Sequence, residues 1–105
     1  MAKVYIGKSK DFAKGINVVY VYGNRICLIK KEENEFYALF DVCPHANCAL
    51  STGILKGYSI MCACHAAVFD IKTGEVIANP LTGEKIKTAT AFKADVNKED
   101  VYINL

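Results

Sequence analysis

The chain has 105 residues, 52% of them hydrophobic, and a formal net charge of +2 at pH 7. That length suits one core and not two. The basic residues are scattered and nearly all Lys, with a single Arg (Arg25), so no phosphate-reading patch is present and nucleic acid is set aside as a partner.

The predicted elements are short and extended. Val4–Ile6 reads as a first strand. Ile16–Tyr22 and Arg25–Lys31 flank Gly23-Asn24, a two-residue hairpin signal with Gly first, which suits a type II′ turn. Glu35–Phe40 follows a charged turn at Glu32–Asn34. Within the middle of the chain, Ser59–Met61, Ala67–Ile71 and Glu75–Ala78 read as short strands, with a turn at Lys72–Gly74. Ile86–Val96 and Val101–Asn104 close the chain around a polar turn at Asn97–Asp100. Both prolines, Pro44 and Pro80, fall outside the proposed central strands, as sheet hydrogen bonding requires. The prediction is an all-β antiparallel fold.

No apolar run approaches the roughly 18 residues of a membrane-spanning helix. The start, Met-Ala-Lys-Val-Tyr-Ile, goes straight into strand-like sequence without a leader's apolar stretch. The expectation is a cytoplasmic protein with no membrane partner.

The chemistry is concentrated in two short segments. Cys43-Pro44-His45 and Cys62-Ala63-Cys64-His65 together spell C-x-H-x16-C-x-x-H. Two thiols and two imidazoles suit a 2Fe-2S cluster of mixed ligation, with two thiolates on one iron and two imidazoles on the other. Zinc also accepts Cys2His2 ligation, but its structural sites usually pair like ligands as C-x2-4-C and H-x3-5-H. Here each segment offers one of each. Cys27, among Ile26, Leu28 and Ile29, reads as a small core residue. Asp41 and Asp70 beside these segments read as turn or surface residues. The six Tyr and five Phe read as core and cross-strand packing.

At these residues the sequence resembles the Rieske family. The match runs through C-P-H-A-N-C-A-L-S-T-G at 43–53, C-A-C-H-A-A-V-F-D at 62–70, Thr73-Gly74 and Asn79-Pro80. The resemblance implies a Rieske-like antiparallel β sandwich with a cluster-binding subdomain at one tip. That subdomain would span about 41–81 of a single 1–105 domain, on a base of about 1–40 and 82–105. It further implies that Cys43, His45, Cys62 and His65 ligate the cluster, and that two loops hold it under a third, proline-bearing loop. Leu50, Pro80 and Leu81 are expected to cover it. Cysteines at the positions of Cys48 and Cys64 form a disulfide in Rieske proteins of the cytochrome bc type, which makes a Cys48–Cys64 bond an expectation here.

Two neighbouring positions argue about the potential. The high-potential relatives carry Ser and Tyr where this chain has Ala67 and Phe69. Neither side chain here can donate a hydrogen bond. Donors to sulfur raise the potential, so the expectation is the low end of the family range, nearer about −150 mV than +300 mV. Ala66 stands where the family often has Gly, and it is strained if the backbone there needs φ > 0.

The functional expectation is a soluble one-electron carrier, a monomer, and not itself an enzyme. It would take electrons from a reductase and pass them to a terminal acceptor such as an oxygenase. Two alternatives remain at this point: a non-catalytic subunit of a reductase complex, and a redox sensor built on Cys48 and Cys64.

Overall fold

The computed structural model describes residues 2–44 and 48–105. The strands are β1 (Lys3–Lys8), β2 (Gly15–Val21), β3 (Asn24–Glu32), β4 (Glu35–Phe40), β5 (Ile54–Lys56), β6 (Ser59–Met61), β7 (Val68–Asp70), β8 (Val76–Ala78), β9 (Ala91–Asn97) and β10 (Asp100–Asn104). Among the described residues the only helical pieces are two three-residue 3-10 turns, Ser9–Asp11 and Leu50–Thr52. No helix there is long and apolar enough to cross a membrane.

The strands make two antiparallel sheets. One has six strands in the order β1-β10-β9-β4-β3-β2, and the other has four in the order β5-β6-β7-β8. β3 explains how they stack. Its residues from Ile26 to Lys30 are all buried, with no polar alternation, as a strand covered on both faces must be. Cys27 and Ile29 join Ile60, Phe69 and Ile71 of the small-sheet region in one apolar cluster. Ile26 and Leu28 point the other way, to Val101 and Ile103 of β10. The large sheet therefore curls round one core and lays its other face on the small sheet. Each fully buried Ile or Leu there contributes roughly 1.5–3 kcal/mol.

Lys30 is the charged member of that buried run. Its Nζ donates to the carbonyls of Ser9 (2.8 Å) and Phe12 (3.2 Å) and pairs with Glu33 at 3.1 Å. Its stem fills core space while its head ties down the connection between β1 and β2.

Several predicted boundaries move. The first hairpin turns at Tyr22-Gly23, not Gly23-Asn24, because Val21 pairs with Asn24. Both turn residues have positive φ, 50° and 79°, the type I′ pattern. The two registers differ by two residues, so every side chain keeps its face in either one, and hydrophobic pattern cannot separate them. The long predicted strand from Ile86 is regular only from Ala91. Before that, Ala89 donates its N–H to the Gly74 carbonyl (2.8 Å) and Thr90 accepts from Phe40 N–H (2.8 Å). A Cβ on Gly74 would overlap the Ala89 carbonyl oxygen, so this close crossing requires glycine. The edge strand β5 is one that the sequence reading did not anticipate.

Candidate metal centre

Three loops meet at one end of the molecule. The first leaves β4 at Phe40. Asp41, two residues before Cys43, has a side chain with no exposed surface. Its carboxylate accepts from Arg25 Nε at 2.6 Å and from both the N–H and the hydroxyl of Ser51, each at 2.6 Å. Asp41 N–H in turn donates to the Arg25 carbonyl at 3.0 Å. Both ends of the loop, at 41 and at 51, are thus fixed to the start of β3. Between them Cys43 N–H donates to the Cys48 carbonyl at 2.6 Å. Cys43 and Leu50 are fully buried. The expectation that Asp41 is a turn or surface residue is corrected: its cation stands sixteen positions earlier in sequence and is brought alongside only by the β3–β4 pairing.

The second loop leaves β6. Cys62 is buried. Its N–H donates to the Ala67 carbonyl (2.7 Å), and its carbonyl accepts from Ala66 N–H (3.1 Å). That tight return places Ala66 at φ 62°, the strained left-handed conformation anticipated for this position. Cys64 and His65, at the outside of the turn, are exposed. Ala67 and Phe69 point inward and are completely buried.

The third loop carries Pro80, which is buried. Leu81 donates its N–H to the His65 carbonyl at 2.8 Å, but its side chain is 86% exposed. Leu50 and Pro80 are therefore inside, as expected of covering residues. Leu81 instead holds the second loop through its backbone and presents its side chain to solvent.

Cys48 and Cys64 form a disulfide, with Cα atoms 6.5 Å apart, that joins the first two loops. Cys62 lies against it: the sulfurs of Cys48, Cys62 and Cys64 are all within 4.8 Å of one another. Cys27 is a buried thiol whose pKa desolvation pushes up to about 12, so it stays protonated and inert. Of the four proposed ligands, Cys43 and Cys62 fall in the same buried cluster. His65 is exposed at the same end, and His45 lies outside the described residues.

A second polar network joins the two sheets at the β5–β6 turn. Glu35 accepts from Tyr37 OH (2.6 Å) and Tyr58 OH (2.8 Å). Lys31 and Lys72 sit over the Tyr58 ring, 4.8 and 4.2 Å from its centroid. The hydrogen bonds from the two phenols hold the Glu35 carboxyl below its ordinary value, and the bond to Glu35 pushes Tyr37 up to about 12. Sequence reasoning missed this network and the Asp41 one, since each joins residues whose proximity depends on strand register.

The donor set fits a mixed-ligand cluster. Buried thiols stand toward the core, an imidazole stands toward solvent, and the loops carrying them are tied together covalently. Residues 2–95 match the Rieske [2Fe-2S] domain. The chain belongs to that family. Among curated relatives, it is 36% identical over 72 residues to the 3-phenylpropionate/cinnamic acid dioxygenase ferredoxin subunit of Shigella boydii, covering 68% of this chain and 64% of that one. It is 40% identical over 70 residues to the ferredoxin component of the naphthalene 1,2-dioxygenase/salicylate 5-hydroxylase systems of Ralstonia sp, covering 67% and 65%. The matched stretch thus spans somewhat less than two thirds of either relative. Among solved structures, the ferredoxin of carbazole 1,9a-dioxygenase from Nocardioides aromaticivorans superimposes with a TM-score of 0.85 at 21% identity, over 98% of this chain and 97% of that one. This last likeness establishes the Rieske fold.

Proposed function

We propose that this Rieske protein is a one-electron carrier of the cytoplasm, a monomer that takes an electron from a reductase and delivers it to the oxygenase of a dioxygenase-type system. The observation that carries the reading is the division of the donor set: Cys43 and Cys62 buried in the core, His65 exposed at the tip. The names of the relatives, ferredoxin partners of dioxygenases, support the choice of acceptor.

In this reading Cys43 and Cys62 would hold one iron of the cluster, and His45 and His65 the other. The cluster would supply a one-electron couple, the iron bound by neutral imidazoles being the easier of the two to reduce. The chain supplies the rest. Leu50 and Pro80 keep water from the thiolate side. The Asp41 and disulfide ties hold the loops still, which limits rearrangement when charge arrives. The exposed histidine edge brings the partner's centre within reach through a small, weak contact suited to fast turnover. In the same reading residues 41–81 form the cluster-binding subdomain, and 1–40 with 82–105 the base.

The test is electron paramagnetic resonance of anaerobically purified, dithionite-reduced protein, with iron, sulfide and zinc analysis. A rhombic signal of low average g-value with two irons and two sulfides is the expected result. Zinc without a reducible signal would remove the carrier reading.

A further inference from the structure

The disulfide sits where a third metal-binding sulfur would complete a different site. The sulfurs of Cys48, Cys62 and Cys64 all lie within 4.8 Å of one another. Three thiolates around a tetrahedral zinc ion, with Zn–S bonds of about 2.3 Å, stand roughly 3.8 Å apart, so Cys48 and Cys64 must part once their bond is cut, while Cys62 already lies within reach of both. Cys43 is not part of it. In the oxidised protein two of the three sulfurs are bonded to each other and cannot ligate as thiolates. We propose that reduction of Cys48–Cys64 turns this end of the chain into a three-thiolate site for a soft d10 cation, zinc(II) or copper(I), and that the disulfide keeps that site closed.

The chemistry balances with a dithiol reductant. One thiolate attacks the exposed Cys64 sulfur and releases Cys48. The second resolves the mixed disulfide. Two electrons and two protons pass to the protein, and the reductant leaves as a disulfide. Soft thiolates then favour a d10 ion over harder cations. The consequence follows from the shared residue. Cys62 is required by the cluster in the proposed ligand set, so a cation held by Cys48, Cys62 and Cys64 and the cluster exclude each other. Holding the loops together is one role for the disulfide; denying Cys62 to the wrong metal is the one proposed here.

The full-length, cluster-loaded protein tests this. It is incubated anaerobically with zinc, with and without a phosphine that reduces the disulfide, then passed through gel filtration. Retained zinc and visible cluster absorbance are measured, and a short alkylation pulse followed by peptide mass spectrometry reads each cysteine. The expected result is one zinc per chain only after phosphine, loss of the cluster absorbance, and shielding of Cys48 and Cys64, which phosphine alone leaves open to alkylation. Zinc retained while Cys48 and Cys64 still react would place the ion elsewhere and overturn the proposal. So would no retained zinc, or equal zinc with and without phosphine. The cysteine map reads out whether or not the starting protein proves to be a carrier, so failure here is distinct from failure of that reading.

Discussion

The Asp41 carboxylate is the test of how the first loop is held. In Asp41→Asn one carboxylate oxygen becomes an NH2. The remaining oxygen can keep the Ser51 N–H, now at 2.6 Å, and the Ser51 hydroxyl can rotate to accept from the new NH2. Arg25 Nε–H, also at 2.6 Å, faces another donor and must turn away. Its side chain is 44% exposed, so water takes it up. The net loss is therefore one charge-assisted hydrogen bond, about 2 kcal/mol. Asp41→Ala loses all three bonds and leaves the Ser51 N–H without its acceptor, about 4 kcal/mol. For a chain of this size these correspond to falls in melting temperature of about 8 and 16 °C. Thermal unfolding by far-ultraviolet circular dichroism reads the stability, and bleaching of the cluster at fixed temperature reads the loop. Both variants should bleach faster, Ala more than Asn. An Asn variant within about 0.5 kcal/mol of the parent, or two variants that behave alike, would refute the view that this carboxylate anchors the loop.

Ala66→Gly should stabilise the protein by about 1 kcal/mol, since φ at this position is 62° and glycine adopts it without strain; denaturant unfolding checks it, and a destabilised variant would mean that the Ala66 methyl packs usefully. Tyr37 and Tyr58 should ionise above the ordinary phenol range in an absorbance titration, because both are raised by their bonds to Glu35. The Tyr37 contribution to stability is then full below the unfolded value of about 10 and is lost as pH rises through about 12; Glu35→Gln should bring both phenols down, and an unchanged titration would rule out the network. Ala67→Ser places a hydroxyl donor beside the centre and should raise the reduction potential, measured by protein-film voltammetry, by a fraction of the roughly 450 mV that the family spans; an unchanged or lower potential would show that position 67 does not reach a sulfur.

What was legible in the sequence was whatever repeats locally. The C-x-H and C-x-x-H segments and the apolar runs Ile26–Ile29 and Phe36–Leu39 are readable in a window of a few residues. They placed the central strands and the all-β class correctly. The positive φ at Ala66 was legible too, because one residue stood where glycine was expected. What escaped depends on which strands are neighbours. Arg25 and Asp41 meet because Ile26 pairs with Phe40, and no local pattern announces that. Tyr37 and Tyr58 meet across two different sheets. The hairpin turn was misplaced by one residue because both registers bury the same side chains, and the choice fell to turn chemistry. That chemistry favoured Gly23 second with Tyr22 first, although a bulky residue at φ 50° is itself strained.

We propose that the low potential expected from positions 67 and 69 has a second source in the backbone. The side chains at 67 and 69 are buried and lack donors. The backbone could still have supplied hydrogen bonds to sulfur, as loops around such centres often can. Here three of those groups are already committed within the loops: Cys43 N–H to the Cys48 carbonyl, Cys62 N–H to the Ala67 carbonyl and Ala66 N–H to the Cys62 carbonyl. Those three dipoles are therefore not offered to negative charge arriving on the cluster, and reduction is less favourable than it would be with them pointed at sulfur. The bonds that make the loops rigid are the ones withheld from the sulfurs. In this proposal rigidity and a low potential both follow from how the two cysteine loops close.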